Sequence, residues 1–595
     1  MRGVPNNFAT GSSVKAEKWV PVTSSKGKEF NKPNDAMPCM VIGHNLPFDL
    51  GGMAGVDKDG VGPALKGFYV GLSLNLRDGC PRITIKKIGY AKHMYGANAK
   101  FGRVNHIFLN TQQLGRALFG ASVRSTLAGM ADALSIPLAK QQADYDGPIT
   151  PDYIGYCCTD VELTWLVYRG LRELYDKHGF TALNDKGILA RPIDKIYSEA
   201  SVGKGYLEQL GVLPFRKKNP IFDHATVTAP FMAAMYGGRS EVHCRLDLRQ
   251  GLQADFKSQY PTVNALMKLQ DLLIAQTVKA VIDETGHGPA AQFLHNVTLE
   301  DLQKNETWPK LRGVALIDPK RCILPVRTVY HKELPHEQFA KAQQIGVNEI
   351  TSAPPCWYTF ADIIASKLLT GRVPKIFKTI MLEPIGVQDG LKVHKFFGDP
   401  KYTIDLTKDD LFQRLIDMRS DVKRLKADGW KPKEQGLKLC ANGTSYGVLI
   451  EFIVDEKDRS TPVNIYAPGR TIYMMTRKVI RDADGGEEIS GFKSERPGKW
   501  FAPWGPLIPA GGRLLLAIAE RLAADRGIQH GFCDTDSMFF CRPDGLGELA
   551  FVGHVKEITG WFQELNPYEG NDPVFNLEDV NHPLIRDGLS IGVEK

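Results

Sequence analysis

No Cys-x-x-Cys pattern occurs among the ten cysteines, which are scattered singly apart from the adjacent Cys157 and Cys158. That disfavours a cysteine zinc site and a disulfide framework, and reduced thiols are the expectation. No apolar run approaches the roughly 18 residues a membrane span needs. The best candidate, residues 514–519, is closed off by Arg513 and Glu520. The opening stretch, MRGVPNNFATGSSVKAEKW, has no apolar segment that could serve as a signal peptide. There is no G-x-x-x-x-G-K-[ST] loop, which speaks against a P-loop ATPase. Internal repeats and low-complexity tracts are also missing.

What is present fits a globular enzyme. At 595 residues the chain exceeds one ordinary core and predicts two to four domains. Apolar residues make up 43% and charged residues 24%, and the net charge of +7 permits a nucleic-acid partner without requiring one. Residues 1–38 read as a poorly ordered polar segment with no strand. Strands are expected at 39–45, 68–76, 82–88 and 106–111, followed by helices at 125–134 and 153–175. That order implies an α/β or α+β domain over 39–190. Residues 191–245 read as a linker region, with a helix at 197–210 and a strand at 240–248. A second strand follows at 252–256. Helices are expected at 409–426, 436–449 and 511–525, and a hairpin at 528–541. The segment 270–400 shows no assignable pattern.

Three stretches carry chemistry. Residues 532–537, FCDTDS, place Asp534 and Asp536 at a hairpin tip between apolar flanks, and carboxylates held by rigid strands suit oxygen-seeking Mg²⁺. Residues 255–261, DFKSQYP, end an apolar strand at Asp255 and turn at once into a helix, with Pro261 suited to its first turn. Such a corner presents backbone N–H groups to phosphate oxygens. Arg419 with Lys423, and Lys438 with Asn442, are spaced four apart, hence each pair shares a helix face. Residues 371–440 hold 15 basic against 10 acidic side chains. Taken singly, the first two are equally an Asp-rich surface turn and an ordinary strand–helix corner, and the third is more often a solvated basic face.

Together, in this order, DFKSQYP, KLCANGTSYG at 438–447 and FCDTDS resemble the polymerase motifs of family B DNA polymerases. Tyr236-Gly237-Gly238-Arg239 resembles that family's DNA-contacting link. Asn45-Leu46-Pro47-Phe48-Asp49 and Tyr156-Cys157-Cys158-Thr159-Asp160 resemble the second and third motifs of its 3′–5′ exonuclease. The resemblance implies an RNase H-like exonuclease domain, then a right-hand palm (246–404 with an insertion, and 451–595) and helical fingers (405–450). It implies a nucleotidyltransferase that extends a primer 3′-hydroxyl with dNTPs in replication or repair. Two Mg²⁺ ions, replaceable by Mn²⁺, would sit roughly 4 Å apart. Asp255, Asp536 and, more loosely, Asp534 become catalytic, with the Phe256 carbonyl also on the metal. Ser258, Gln259, Tyr260, Arg419, Lys423, Lys438 and Asn442 become nucleotide-binding, Tyr260 as steric gate against ribose. Tyr236, Gly237, Gly238, Arg239, Tyr446, Gly447 and Lys595 are expected on DNA. Primer–template DNA, a processivity factor or separate polypeptide segment, and a bacterial or virus-infected host cytoplasm near the nucleoid complete the expectation, with no membrane role.

Three departures accompany the resemblance. No D-x-E precedes Asn45, so the nuclease is expected to lack its first strand and to proofread poorly. The sequence stops at Lys595 where the family continues into K-x-Y and a thumb, so both ends read as clipped and the thumb as missing. Three residues, not two, separate Asn442 from Tyr446, which would turn Tyr446 about 100° around an ideal helix unless a bulge absorbs it. The alternative reading is a DNA-binding polymerase fragment of little catalytic power. A third is another two-carboxylate palm enzyme, an RNA-templated polymerase or nucleotide cyclase, which would not carry the nuclease signature.

Overall fold

The computed structural model describes residues 19–23, 29–33, 40–53, 72–74, 82–89, 92–98, 107–120, 123–141, 148–185, 187–220, 222, 224–329, 343–351, 354–427, 430–456, 463–467, 470–474, 493–586 and 589–594. The chain divides into two compact units, Met1–Val202 and Gly203–Lys595, each mixed α/β. No helix among the described residues is long and apolar enough to cross a membrane.

In the first unit, Met40–Gly43 and Ile107–Asn110 pair in parallel. The second of these runs directly into a helix, Thr111–Phe119, because the Asn110 side chain accepts from the Gln112 N–H and caps it. The long helix Pro151–Asp176 starts two residues before the expected position. Thr150 caps it and Pro151 takes the first turn, where its missing N–H costs nothing. Leu72–Leu74, Arg82–Gly89 and Lys92–Asn98 form a separate antiparallel sheet. Residues 19–33, read as strandless, contain an antiparallel pair, Trp19–Thr23 and Glu29–Pro33. Both are five residues long and interrupted or ended by proline, which hides the period-2 pattern.

The second unit is organised by a six-stranded sheet. Its strands are β1 (Ser240–Val242), β2 (Gly251–Phe256), β3 (Gln529–Asp534), β4 (Ser537–Cys541), β5 (Phe575–Arg586) and β6 (Leu589–Glu594), in spatial order β6-β5-β2-β4-β3-β1. All described neighbours pair antiparallel. Strand β1 is shorter than the expected 240–248: Gly531 O accepts from both the His243 and Cys244 N–H groups, and Leu246 turns to φ 55. The unassigned 270–400 region supplies a second, four-stranded sheet of Thr277–Asp283, Ile376–Ile385, Gly313–Ile317 and Cys356–Thr359.

Five helices of this unit matter for the site: α1 (Gln259–Leu266), α2 (Phe360–Thr370), α3 (Leu411–Leu425), α4 (Trp430–Asn442) and α5 (Leu507–Ala524). Helix α3 is capped by Asp410, whose carboxylate accepts from the N–H groups of Phe412 and Gln413. Helix α4 begins at Trp430, six residues before the expected start, with Pro432 tolerated in its first turn. Helix α5 begins at Leu507 and is apolar on nearly every face because it is buried nearly all round, against α2 and α1 among others.

One charge is sealed inside. Arg513 on α5 forms a bidentate pair with Asp362 on α2, at 2.8 and 2.9 Å, both side chains 2% exposed or less. Its remaining nitrogen donates to the carbonyls of Tyr236 and Gly237. Removing one partner strands the other charge in a dry interior. Asp362→Ala should therefore cost about 3–5 kcal/mol in urea unfolding; a loss under about 1 kcal/mol would mean water reaches the pair.

Candidate active site

Strand β2 lies between β4 and β5, and that order sets Asp255 beside the hairpin tip. Asp255 is opposite Ser537 on β4 and Asn576 on β5. The Phe256 N–H donates to the Asp536 carbonyl at 2.8 Å, which fastens the end of β2 to the hairpin tip. The Phe256 ring is buried against Phe575 (centroids 4.0 Å, stacked) and Phe562. At the tip, Thr535 sits at φ 57, a sparsely populated backbone for a β-branched residue. Its N–H donates to the Arg239 carbonyl at 2.7 Å.

Asp255 and Asp536 come close enough to oppose each other's ionisation. Burial, then the charges of Asp536 and Glu578, push the Asp255 carboxyl up to about 7. Asp536 is also raised, by burial first and by Asp534 and Glu578 in addition. Asp534 itself is exposed. Glu578 was not anticipated. The β5 register shifts between Leu577 and Asp579, so Glu578 is the extra residue of a bulge and its charge reaches both aspartates. Strand alternation conceals it, since a bulge is invisible in the residue pattern.

Next to the carboxylates stands a cationic pair of helices. Arg419 on α3 donates to Glu434 on α4 at 2.6 Å and to the Ser258 hydroxyl at 3.4 Å. Lys423 lies 3.7 Å from the same Glu434 oxygen. Burial lowers the Lys423 pKa, and the charges of Arg419 and Lys438 lower it further, against Glu434. Arg419 and Lys423 thus share one internal carboxylate, with the charge of Lys438 bearing on Lys423, and Glu434 is the second residue the sequence reading missed. Asn442 is exposed at the end of α4.

Tyr260 and Tyr446 face one another with ring centroids 5.2 Å apart. Burial, with Tyr446 and Asp536 adding, pushes the Tyr260 phenol up to about 12 against the opposing Arg513. The extra residue between Asn442 and Tyr446 is taken up by a π turn, Gly443–Gly447, in which Val448 N–H reaches back to the Gly443 carbonyl. Asn264 on α1 pins this turn by donating to the Ser445 carbonyl at 3.1 Å, and to Tyr260 O at 2.7 Å. Tyr446 is thereby returned to the site, and Gly447 closes the turn.

Other expected contacts are placed differently. The Gln259 side chain is 3% exposed and lies under α5, its amide reaching Gly512 O at 3.4 Å, so it faces the interior and not a nucleotide. The Arg239 guanidinium is 1% exposed and held by Glu241 and Glu520, which removes it from any DNA surface. Gly238 packs against the tip: a Cβ there would meet Thr535 Cγ2 at 2.7 Å. Tyr236 stacks on Tyr358 with planes 3° apart, and Gly237 is held through its carbonyl by Arg513. Lys595 and the Phe48 side chain lie outside the described residues.

In the first unit, Asn45 at φ 63 donates its N–H to the Asn110 side chain and opens the helix Leu46–Met53 that carries Asp49. Burial and the charge of Asp160 push the Asp49 carboxyl up to about 6. Tyr156 and Asp160 lie on the long helix; Lys140 pairs with Asp160 at 3.4 Å and lies over the Tyr156 ring. His44, hydrogen-bonded to Thr111 and Ser125, is lowered to about 4, chiefly by burial. Among the described residues no third acidic side chain joins Asp49 and Asp160 in a metal-ligating group.

No protein-family model and no curated protein matches this chain. Among solved structures it is similar to phi29 DNA polymerase complexed with primer-template DNA and incoming nucleotide substrates. That match has 14% identity and a TM-score of 0.38, covering 78% of this chain and 64% of that one. The chain thus spans less than two thirds of that polymerase. The same polymerase with single-stranded DNA matches at 13% identity and TM-score 0.40, over 85% of this chain and 71% of that one. At that similarity the chemistry is decided by the residues of the site, not by the likeness.

The Asp255 carboxyl holds a proton in the folded chain between the ordinary value of 3.8 and about 7, where the unfolded chain has lost it. Folding stability attributable to it therefore falls as pH rises through that window. Asp255→Asn should raise the Tm at about pH 8 in chelator, with the gain vanishing toward about pH 4. Mg²⁺ at the higher pH should stabilise the parent more than the variant. An Asp255→Asn chain no more stable than the parent at either pH would show that the carboxylates do not repel.

Proposed function

We propose that the chain is a template-directed DNA polymerase of the family B type, adding dNTPs to a primer 3′-hydroxyl. What supports this is Asp255 at the end of β2, tied through Phe256 to the hairpin that carries Asp536, with the charges of Asp536 and Glu578 bearing on Asp255, beside the Arg419–Lys423–Lys438 cluster. Phosphoryl transfer needs little covalent chemistry from a protein; it needs positioned cations and an oriented nucleophile. Carboxylates that oppose each other's ionisation are short of a cation, and an all-oxygen donor set suits hard Mg²⁺. Asp255 and Asp536 would hold the ions, with the Phe256 carbonyl assisting and Glu578 adding charge. Bound Mg²⁺ supplies neutralisation of developing charge and a more acidic 3′-hydroxyl.

The chain's own residues set the rest. The net positive charge shared by Arg419, Lys423, Lys438 and Glu434 draws a triphosphate toward the start of α1. On that binding Arg419 exchanges its Glu434 contact for phosphate oxygens, in a bidentate grip suited to its planar fork. Tyr260, packed on Tyr446, presents a fixed ring where a ribose 2′-hydroxyl would have to fit, and the low-dielectric surroundings keep its phenol neutral. Base selection comes from template pairing, so protein contacts fall on backbone and shape and binding weakens with salt.

Two outcomes in a primed-template assay test the reading. Extension should require Mg²⁺ or Mn²⁺ and fall by at least ~10³-fold with Asp536→Asn or Asp255→Asn, since the two act as one unit. Tyr260→Ala should keep extension while admitting ribonucleotides. A chain that binds primed DNA yet never extends it at any metal concentration would establish the binding-fragment alternative instead. For the first unit, Asp49 and Asp160 with Lys140 form an incomplete metal centre. A labelled single strand should survive incubation with metal, and digestion abolished by Asp49→Ala would overturn that.

A further inference from the structure

A second cluster of ligating side chains lies at the edge of the six-stranded sheet, on β1 and β3. Glu241 lies on β1, and His243 is the first residue past its end, its imidazole meeting the Glu241 carboxylate. The register between β3 and β4 shifts between His530 and Phe532, and this bulge turns His530 toward the same side as His243. The two imidazole centroids are 4.2 Å apart. One ligand atom from each of Glu241, His243 and His530 lies within 4.8 Å of the others. His243 Nε2 is 2.7 Å from Glu241 Oε1, and His530 Nε2 is 3.9 Å from the same oxygen, beyond hydrogen-bond reach.

His530 is 4% exposed, and its Nε2 has no hydrogen-bond partner. A buried ring nitrogen left without one is costly and calls for an explanation. Four-coordinate zinc, with bonds of about 2.0–2.2 Å, spaces its donors roughly 3.4 Å apart, and the two measured separations bracket that value. The local charge also suits a cation. Glu241 and Glu520 flank the single guanidinium of Arg239, which donates to the same Glu241 oxygen that faces the imidazoles, and the three groups leave one negative charge in excess when the imidazoles are neutral.

We propose that Glu241, His243 and His530 bind one borderline divalent cation of the zinc class, with water as fourth ligand on the exposed His243 side. Two imidazoles and a carboxylate select such an ion over Mg²⁺, whereas the Asp255–Asp536 site offers only oxygen. The ion clips β1 to β3. That strand pair reaches the catalytic hairpin at its other end, where the Arg239 carbonyl takes the Thr535 N–H. Strand β1 has only three residues, so its own ladder is short. A metal bridge at its end makes good what the backbone pairing lacks.

The test uses the full chain carrying Asp255→Asn and Asp536→Asn, which silences the oxygen site whatever its function. Metal-stripped protein titrated with Co²⁺ should take up one equivalent with the visible bands of tetrahedral nitrogen and oxygen ligation, and Zn²⁺ should displace it. Adding His243→Ala, a partly exposed position that folding tolerates, should weaken binding by at least ~10-fold. His530→Ala should do the same, with circular dichroism confirming the fold of both. Zn²⁺ should raise the Tm of the parent and of neither variant. Absence of stoichiometric Co²⁺ binding in the parent, or unchanged affinity in both histidine variants, overturns the proposal and leaves a plain Arg–Glu–His hydrogen-bonded clamp.

Discussion

The candidate site depends on one electrostatic conflict held in place by strand pairing. Asp255 on β2 is flanked by β4, just past Asp536, and by β5, with Glu578 in its bulge. Each carboxylate raises the cost of ionising the next, which is why burial and neighbouring charge together lift Asp255 to about 7. Left to itself such a group would splay apart. The Phe256 N–H bond to the Asp536 carbonyl and the stacked Phe256 and Phe575 rings prevent that. Apolar packing behind the sheet thus offsets repulsion in front of it, and the frustration can be relieved by cations.

The hairpin that presents Asp536 is braced from outside its own sequence. Thr535 adopts a left-handed backbone that costs about 1–3 kcal/mol and persists only where its surroundings enforce it. The enforcement comes from the Tyr236–Arg239 stretch. The Arg239 carbonyl takes the Thr535 N–H, Gly238 leaves room for the Thr535 side chain, and the Arg239 side chain is locked by Glu241 and Glu520. Arg513, neutralised by Asp362, grips the preceding carbonyls. A stretch expected to touch DNA with its arginine therefore uses that arginine to hold the hairpin. Nothing in its composition distinguishes the two uses, since a buried, paired guanidinium and an exposed one read alike.

Legibility followed the range of the interaction. Helices α3 and the long one of the first unit were readable because apolar periodicity is local, whereas their starts, set by the caps Asp410 and Thr150, were each misplaced by two residues. Asp255, Tyr260 and the Asp534–Asp536 tip stood out because a carboxylate at a strand end is marked by its neighbours. Glu578 was illegible because only the pairing of β5 with β2, more than 300 residues away in sequence, brings it to the aspartates. Glu434 was overlooked because a lone acid in a basic helix resembles a solvating residue. Gln259 looked like part of a nucleotide pocket, but helix α1 turns it inward beneath α5. The strand pair Trp19–Thr23 and Glu29–Pro33 escaped because its prolines break the alternation that strand reading relies on.

The extra residue before Tyr446 shows how a sequence irregularity can be absorbed without loss of the site. A one-residue insertion in an α-helix rotates everything beyond it by about 100°. Here the rotation is spent in a single π turn, and Thr444 stabilises that turn by donating to the Cys440 carbonyl at 2.7 Å. Gly203 lets this turn's backbone approach closely: a Cβ there would come within 2.6 Å of the Gly443 carbonyl carbon. Asn264 then reads the result, bonding the Ser445 and Tyr260 carbonyls at once. The Tyr260–Tyr446 contact is thus set from two elements by one amide. The lysine and asparagine upstream of the turn keep their α-helical face, while the tyrosine within it keeps its contact with Tyr260. A π turn thus takes up the added residue without separating the two halves of the motif.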